Sequence, residues 1–484
     1  MEIKQRMSKR FGWLLGAVAL VLIGLLMACG SYYNASSDGL LIVGSQGSGL
    51  LETFAFTLNS GSIYDVSNNP NDTSNELCVL NGVPSSIVVD PAGAYAYTIL
   101  NANSLCDTAT TKSTTGLLAF KINSNGTTTQ VGSQVPFTEE TVTPCVPILP
   151  TPTNPPYCQL SSSTEQVPAV PGMMVMDPAG KFLFVADRAT TDPTGLYVPG
   201  AVSVFAIGSG GSLTEAPGSP FFTSTFPTTL YQAGLDIVSV APTPTVFPPI
   251  GLNGVQPSAC SDVGDPPPTL EYLYAVDGLG NQVFEFSVNT TTGVLTNPST
   301  NKFGEPSFPT DPNPAGVAVD PCNRFVYVSD SLTDKVSGYA MCNNTVTSPV
   351  TACTNAAIPG ALAPVPGSPF ALPGSTNGPG PLVVDPYGKY LYVLGTLSNT
   401  ISPLQISSIS GVLAPGNPAT VATGIGPVSI VIRADDSWMF VANHGSAAVG
   451  GNTVSQYAIT PETGVLSAQP AIQTDNYPWG VAVK

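Results

Sequence analysis

Basic residues are scarce in this 484-residue chain: 14 Lys and Arg stand against 31 Asp and Glu, a formal net charge of −17, and there is one histidine. So acidic a surface repels phosphate backbones, which argues against nucleic acid as a partner. The usual catalytic signatures are missing as well: there is no GxSxG elbow, no phosphate-binding P-loop, no CxxCH haem attachment and no HExxH. With no CxxC pair and a single imidazole, the ligands for a zinc site are not there, so neither metal nor cofactor is expected. Charged residues make up only 9% of the chain, while Gly and Pro number 48 each. With Val, Thr, Ser and aromatics filling much of the rest, the composition suits short strands and turns rather than helices, and the chain reads as all-β.

One long apolar stretch stands apart. Lys4, Arg6, Lys9 and Arg10 precede an uncharged run from Phe11 to Ala28, and Leu26-Met27-Ala28-Cys29 resembles a bacterial lipobox. Residues 1–28 are expected to be a signal peptide, Cys29 the acylated residue and 29–39 a polar spacer, giving an exported lipoprotein of the cell envelope held at a membrane by its lipid. An uncleaved membrane anchor is the alternative reading. Beyond this leader the chain has 10 basic and 30 acidic residues, a net −20.

What fills residues 40–484 is a repeat. PLVVDPYGKYLYVLG at Pro381 joins a short apolar strand to an aromatic one through an Asp-Pro-x-Gly turn, in which Pro presets φ and Gly accepts the positive φ that follows. The same hairpin recurs as VVDPAGAYAYTIL from Val88, VMDPAGKFLFVAD from Val175, VAVDPCNRFVYVSD from Val317 and, with its turn residues replaced, IVIRADDSWMFVAN from Ile430. A third strand follows each hairpin, as in NTVSQYAI at Asn452, and a fourth follows a Gly-x-Leu turn, as in GVLSAQPAIQT. Registering the copies on Asp320, Asp385, Arg433 and Lys484 gives spacings of 65, 48 and 51 residues. Four antiparallel strands per unit near 50 residues is the signature of a β-propeller blade.

Six copies begin near Pro84, Pro171, Gly234, Pro314, Pro381 and Pro427. A seventh is split: Leu40 to Val43, Leu51 to Leu58 and Ser62 to Val66 supply three strands without a first, and WGVAVK at Trp479 to Lys484 supplies a first strand alone. Seven blades are therefore expected, with six or eight as alternatives, in a ring closed by pairing the C-terminal strand with the N-terminal ones.

The pattern PxGVAVDPxGKxLYVxN, followed by NTVSxYxI and GxLxPxPGSPF, is similar to the YVTN-type repeats of the seven-bladed lactonase-family propellers, which include 6-phosphogluconolactonase-like proteins. The resemblance implies that fold across Leu40 to Lys484. Lactone-processing members are understood to use a His with Arg and acidic partners around the channel; no residue here matches such a set by motif, so none is carried across.

In a propeller, the loops joining second to third strands share one face with those joining a fourth strand to the next blade. The insertions at Asn101 to Gly116, Phe137 to Pro171, Asp187 to Gly200 and Asn443 to Gly451 belong to these two classes and build up that face, where binding is expected. Asp187, Asp277, Asp330 and Asn443 each end a second strand at its rim, able either to hold a cation or sugar hydroxyls or to cap their own turns. His444 is a candidate general base or simply solvated, and Arg188 either holds a substrate anion or balances local acidity. The eight cysteines after Cys29 are sorted by face into the expected pairs Cys78 with Cys106, Cys145 with Cys158, Cys260 with Cys322 and Cys342 with Cys353. Two functions follow. One is a monomeric envelope-anchored module that binds a protein, peptide or glycan. The other is a lactonase-like hydrolase acting on a sugar lactone.

Overall fold

A computed structural model describes residues 38–47, 49–58, 60–66, 82–103, 113–137, 140–142, 145–148, 157–160, 165–167, 169–191, 197–222, 230–231, 236–243, 271–296, 307–342, 360–374, 376–446 and 449–484. The strands form seven antiparallel blades, each four strands deep. Blade 1 is the split copy: Pro478–Val483 lies innermost and pairs with Asp38–Ser45, followed outward by Leu50–Thr57 and Ile63–Asp65. Blades 2 to 7 begin with the innermost strands Val83–Val89, Val170–Met176, Ile237–Pro242, Pro314–Val319, Pro379–Val384 and Pro427–Ile432. Each innermost strand packs on the next, and the last packs on Pro478–Val483, so the ring is closed. The expectation that the tail completes the first blade is met, in register: Leu41 faces Val483 and Val43 faces Val481.

Local chemistry explains the hairpins. The Asp of each turn accepts the N–H groups four and five residues on: Asp90 from Ala94 and Tyr95, Asp177 from Lys181 and Phe182, Asp385 from Lys389 and Tyr390. Gly388, at φ +66°, abuts the preceding blade so closely that a Cβ there would lie 2.5 Å from an Asp320 oxygen. The aromatic strand that follows alternates its side chains across the sheet, burying Tyr97, Tyr274, Tyr327 and Tyr392 between blades. Three of their hydroxyls bond the next blade's Gly-x-Leu turn: Tyr274 to the Gly360 carbonyl at 2.6 Å, Tyr327 to Gly411 at 2.9 Å and Tyr392 to Gly464 at 3.1 Å.

Three features go beyond the repeat pattern. A β-bulge interrupts every innermost strand near its start, between Pro427 and Ser429 for example, re-aiming one residue per blade at that end of the channel. The outermost strand is broken in blades 3 to 6, where two short pieces such as Ala361–Pro364 and Phe370–Ala371 both pair with the third strand. And the insertions are themselves strands. Thr190–Thr191, Tyr197–Val198, Cys145–Ile148, Tyr157–Leu160 and Leu230–Tyr231 form an accessory sheet in that order, drawn from three separate loops. All three belong to the elaborated face, here called upper; the Asp-Pro-x-Gly turns make the lower face.

Candidate functional site

Solvent exposure of large apolar side chains marks the upper face. Of nine such residues among those described, eight lie in its loops or strand starts; only Ile409 is elsewhere. Leu279, Leu332 and Leu397 occupy the same place in the turns after the second strands of blades 4, 5 and 6. Two residues further on, Asn281, Asp334 and Asn399 adopt φ of 56°, 54° and 58°, the left-handed region that Asn and Asp tolerate, and this geometry turns each Leu outward. Leu332 and Leu397 are 72% and 78% exposed. Ile425, Val449, Tyr477 and Trp479 continue this apolar arc toward the closure seam.

At that seam sits His444. It ends the second strand of blade 7, Trp438–Gly445, where its N–H donates to the Gly426 carbonyl. Its ring meets Trp479 edge-on at 4.7 Å between centroids and Tyr477 at 5.3 Å. Trp479 is the residue left unpaired by the bulge at the start of the closing strand, so the bulge aims the indole at the channel mouth. Burial lowers the His444 pKa, which keeps the imidazole neutral near pH 7. On the other side of the same loop, Glu52 accepts the Ser45 hydroxyl at 2.6 Å and the Asp475 N–H at 3.0 and 3.1 Å. Its carboxyl is pushed up to about 7, chiefly by burial, which outweighs the Ser45 hydrogen bond. A neutral imidazole and an aromatic wall thus meet at the ring seam, and Glu52 is held by the backbone of the loop that leads to Tyr477. Sequence reasoning singled out His444 and used Trp479 only as a strand residue; it missed Tyr477 and Glu52, and the visible cue was the aromatic cluster just ahead of WGVAVK.

The other candidates fall elsewhere. Asp187, Asp277, Asp330 and Asn443 are buried within their own blades instead of lining the rim. Asp187 accepts the Ser203 hydroxyl and Asp330 that of Ser337, while the Asn443 amide donates to Thr453 and Ser455. Asp277 caps its turn, accepting N–H groups of Asp236, Leu279 and Gly280. Burial pushes Asp187 up to about 7 and Asp330 up to about 8, outweighing the Ser203 and Ser337 hydrogen bonds and, for Asp330, the nearby Lys335. A third-strand hydroxyl draws Asp187, Asp330 and Asn443 inward, whereas Asp277 follows the turn-capping alternative, with the Gln282 amide donating to its other oxygen. Arg188 forks onto Asp236 with two contacts of 2.7 Å and belongs to blade 3, across the ring from His444, so the two catalytic candidates are not brought together. Cys322 and Cys342 are each disulfide-bonded, and the residues expected to pair with them, Cys260 and Cys353, fall outside the described residues. Register sets Cys145 opposite Leu160 and Cys158 opposite Pro147, two residues apart on adjoining strands. Cys29, Cys78, Cys106, Cys260 and Cys353 lie outside the described residues. Among the described residues no three acidic, His or Cys side chains converge as a metal site.

Comparison with known proteins agrees with this architecture. Residues 267–364, in blades 4 and 5, match the family model described as "Lactonase, 7-bladed beta-propeller". No curated protein matches the chain. Among solved structures, a Bacteroides fragilis protein described as a candidate 6-phosphogluconolactonase superposes with a TM-score of 0.56 at 17% identity, covering 93% of this chain and 98% of that one. The Pseudomonas aeruginosa periplasmic gluconolactonase gives 0.56 at 17% identity, covering 92% and 99%. A Lactobacillus plantarum protein gives 0.57 at 12%, covering 92% and 99%. These identities establish a shared fold. The chain is a seven-bladed β-propeller that resembles the lactonase propellers around its whole ring and matches that family's own pattern in residues 267–364.

Proposed function

We propose that this protein hydrolyses a sugar lactone at the upper mouth of its channel, as a propeller exported to the cell envelope and tethered there through Cys29. The observation that carries the reading is His444 held neutral between Trp479 and Tyr477 at the ring seam. Aromatic faces pack against the C–H surface of a sugar ring. A neutral imidazole can take a proton from water as that water attacks the lactone carbonyl. The C–O bond of the ring then breaks, and the proton passes to the departing oxygen to give the open hydroxy acid. Further support comes from the similarity to proteins described as gluconolactonases. The tether agrees with the topology. The chain enters the ring at Asp38, on the lower face, so a lipid at Cys29 would turn the upper mouth away from the membrane.

Turnover of aldonolactones by the purified protein, corrected for spontaneous hydrolysis, tests this. His444→Ala is expected to lower kcat by about 10²-fold or more, the usual scale for losing a general base. Turnover indifferent to the substitution would remove His444 from the reaction. A second reading, a module that binds an envelope protein or peptide, is favoured by the Leu279, Leu332 and Leu397 arc, an exposed apolar surface not used by the chemistry above.

A further inference from the structure

Which lactone the mouth takes is set by charge. The described part of the upper face carries two cations, Arg188 and Lys335. Arg188 is held by Asp236 at 2.7 Å and Lys335 by Asp311 at 2.9 Å. The remaining described Lys and Arg residues, Lys121, Lys181, Arg324, Lys389, Arg433 and Lys484, all stand at lower-face turns or strand ends. Lys112 and Lys302 lie outside the described residues. Asp236 and Asp311 offset these two cations, and Asp334 and Asp475 add further partly exposed carboxylates, with Glu52 poised between its charged and neutral forms. The site's recognition surface is Trp479 and Tyr477, 38% and 40% exposed, which offer ring faces and no positive charge.

We infer that the substrate is an uncharged, unphosphorylated sugar lactone, and that a lactone carrying a phosphate is turned away at the mouth. This rests on the hydrolase reading above. A phosphate monoester brings nearly two negative charges at pH 7, and phosphate recognition needs unengaged Arg or Lys side chains or a cluster of backbone N–H groups. The described residues of this face instead present surplus carboxylates, so a phosphorylated ring meets repulsion during approach and finds among them no unengaged cation to offset its desolvation. A neutral ring loses little on approach and gains stacking.

The test compares glucono-lactone with its 6-phosphate, using the full chain purified in detergent micelles, from low to physiological salt. The unphosphorylated lactone is expected to show a kcat/KM about tenfold or more above the phosphorylated one, with the gap narrowing as salt screens the repulsion. Equal or faster turnover of the phosphorylated lactone at low salt overturns the inference while leaving the hydrolase reading intact. If neither is hydrolysed, the hydrolase reading fails, and binding decides the charge question. Tryptophan fluorescence is then titrated with glucose and with glucose 6-phosphate, Trp479→Phe serving as control. Quenching by glucose that exceeds quenching by its phosphate and is lost in Trp479→Phe supports an uncharged ligand. Equal or tighter binding of the phosphate, or no response to either sugar, overturns it.

Discussion

At the scale of single residues, buried carboxyls decide how the protein responds to pH. Asp330 is fully buried, bonded by one oxygen to Ser337, and titrates near 8 in the fold against ~3.9 in an unfolded chain. Between those values the fold holds a proton that the unfolded chain has released, so stability is full below about pH 4 and falls as pH rises toward 8. Blade 7 carries Asn443 at the same position, its amide nitrogen donating to Thr453 and Ser455. Asp330→Asn should therefore keep the fold, raise stability at pH 8 by several kcal/mol (a shift of about four pKa units corresponds to roughly 5 kcal/mol) and flatten its decline across this window, read by denaturant titration. An unchanged slope would show that Asp330 is ionised in the native state. Asp436 offers a second case. It stands where the repeat has a turn glycine, at φ 56°, with neither carboxyl oxygen hydrogen-bonded and Asp385 on the facing blade. In the equivalent seam, Arg324 forks onto Asp320 and also reaches the Gly388 carbonyl, whereas Lys389 lies over the Tyr387 ring. Restoring glycine should stabilise: Asp436→Gly is expected to raise Tm, more at pH 8 than at pH 5, because burial holds this carboxyl near 8 as well. A lower Tm at both pH values would mean that the carboxyl has a stabilising partner.

At the scale of elements, what sequence could show is the part governed by local rules. The Asp turn, the aromatic strand and the Gly-x-Leu turn each carry their cause in neighbouring residues, so blade count and strand order were legible. Side-chain depth was not. Asp187 and Asp330 end their strands at the rim, yet the hydroxyl that draws each inward lies on the third strand, and only pairing reveals that Ser203 and Ser337 stand beside them. The accessory sheet was hidden for a related reason: its strands are two to four residues long and come from three loops, too short for any alternating pattern to register. The tyrosine bonds between blades give this scale its own prediction. Tyr327→Phe strands the Gly411 carbonyl in a buried seam and should cost about 1–2 kcal/mol. Tyr97 holds the same place in blade 2, but its hydroxyl is buried without a partner. Tyr97→Phe should thus be neutral or mildly stabilising. Equal losses from the two substitutions would mean that ring packing, and not the hydroxyl bond, joins the blades.

At the scale of the whole molecule, both fold and site depend on one strand. Pro478–Val483 covers the inner edge of Asp38–Ser45 and brings Trp479 to His444, so ring closure and site assembly are a single event. Without it, an eight-residue strand would present bare N–H and C=O groups to solvent, an edge that recruits other chains. Deleting residues 479–484 should lower Tm by several degrees, promote aggregation and abolish any lactone turnover. Trp479→Ala should affect only the last of these. A synthetic peptide spanning residues 474–484, added to the truncated protein, should dock by strand addition in the vacant place and recover both melting temperature and turnover in proportion to occupancy. Recovery of melting without turnover would separate the ring from the site and place the chemistry elsewhere on the upper face. Unaltered melting in the truncated protein would mean that the ring holds without its closing strand, and the inward force would then have to come from the Tyr and Arg324 bonds between blades.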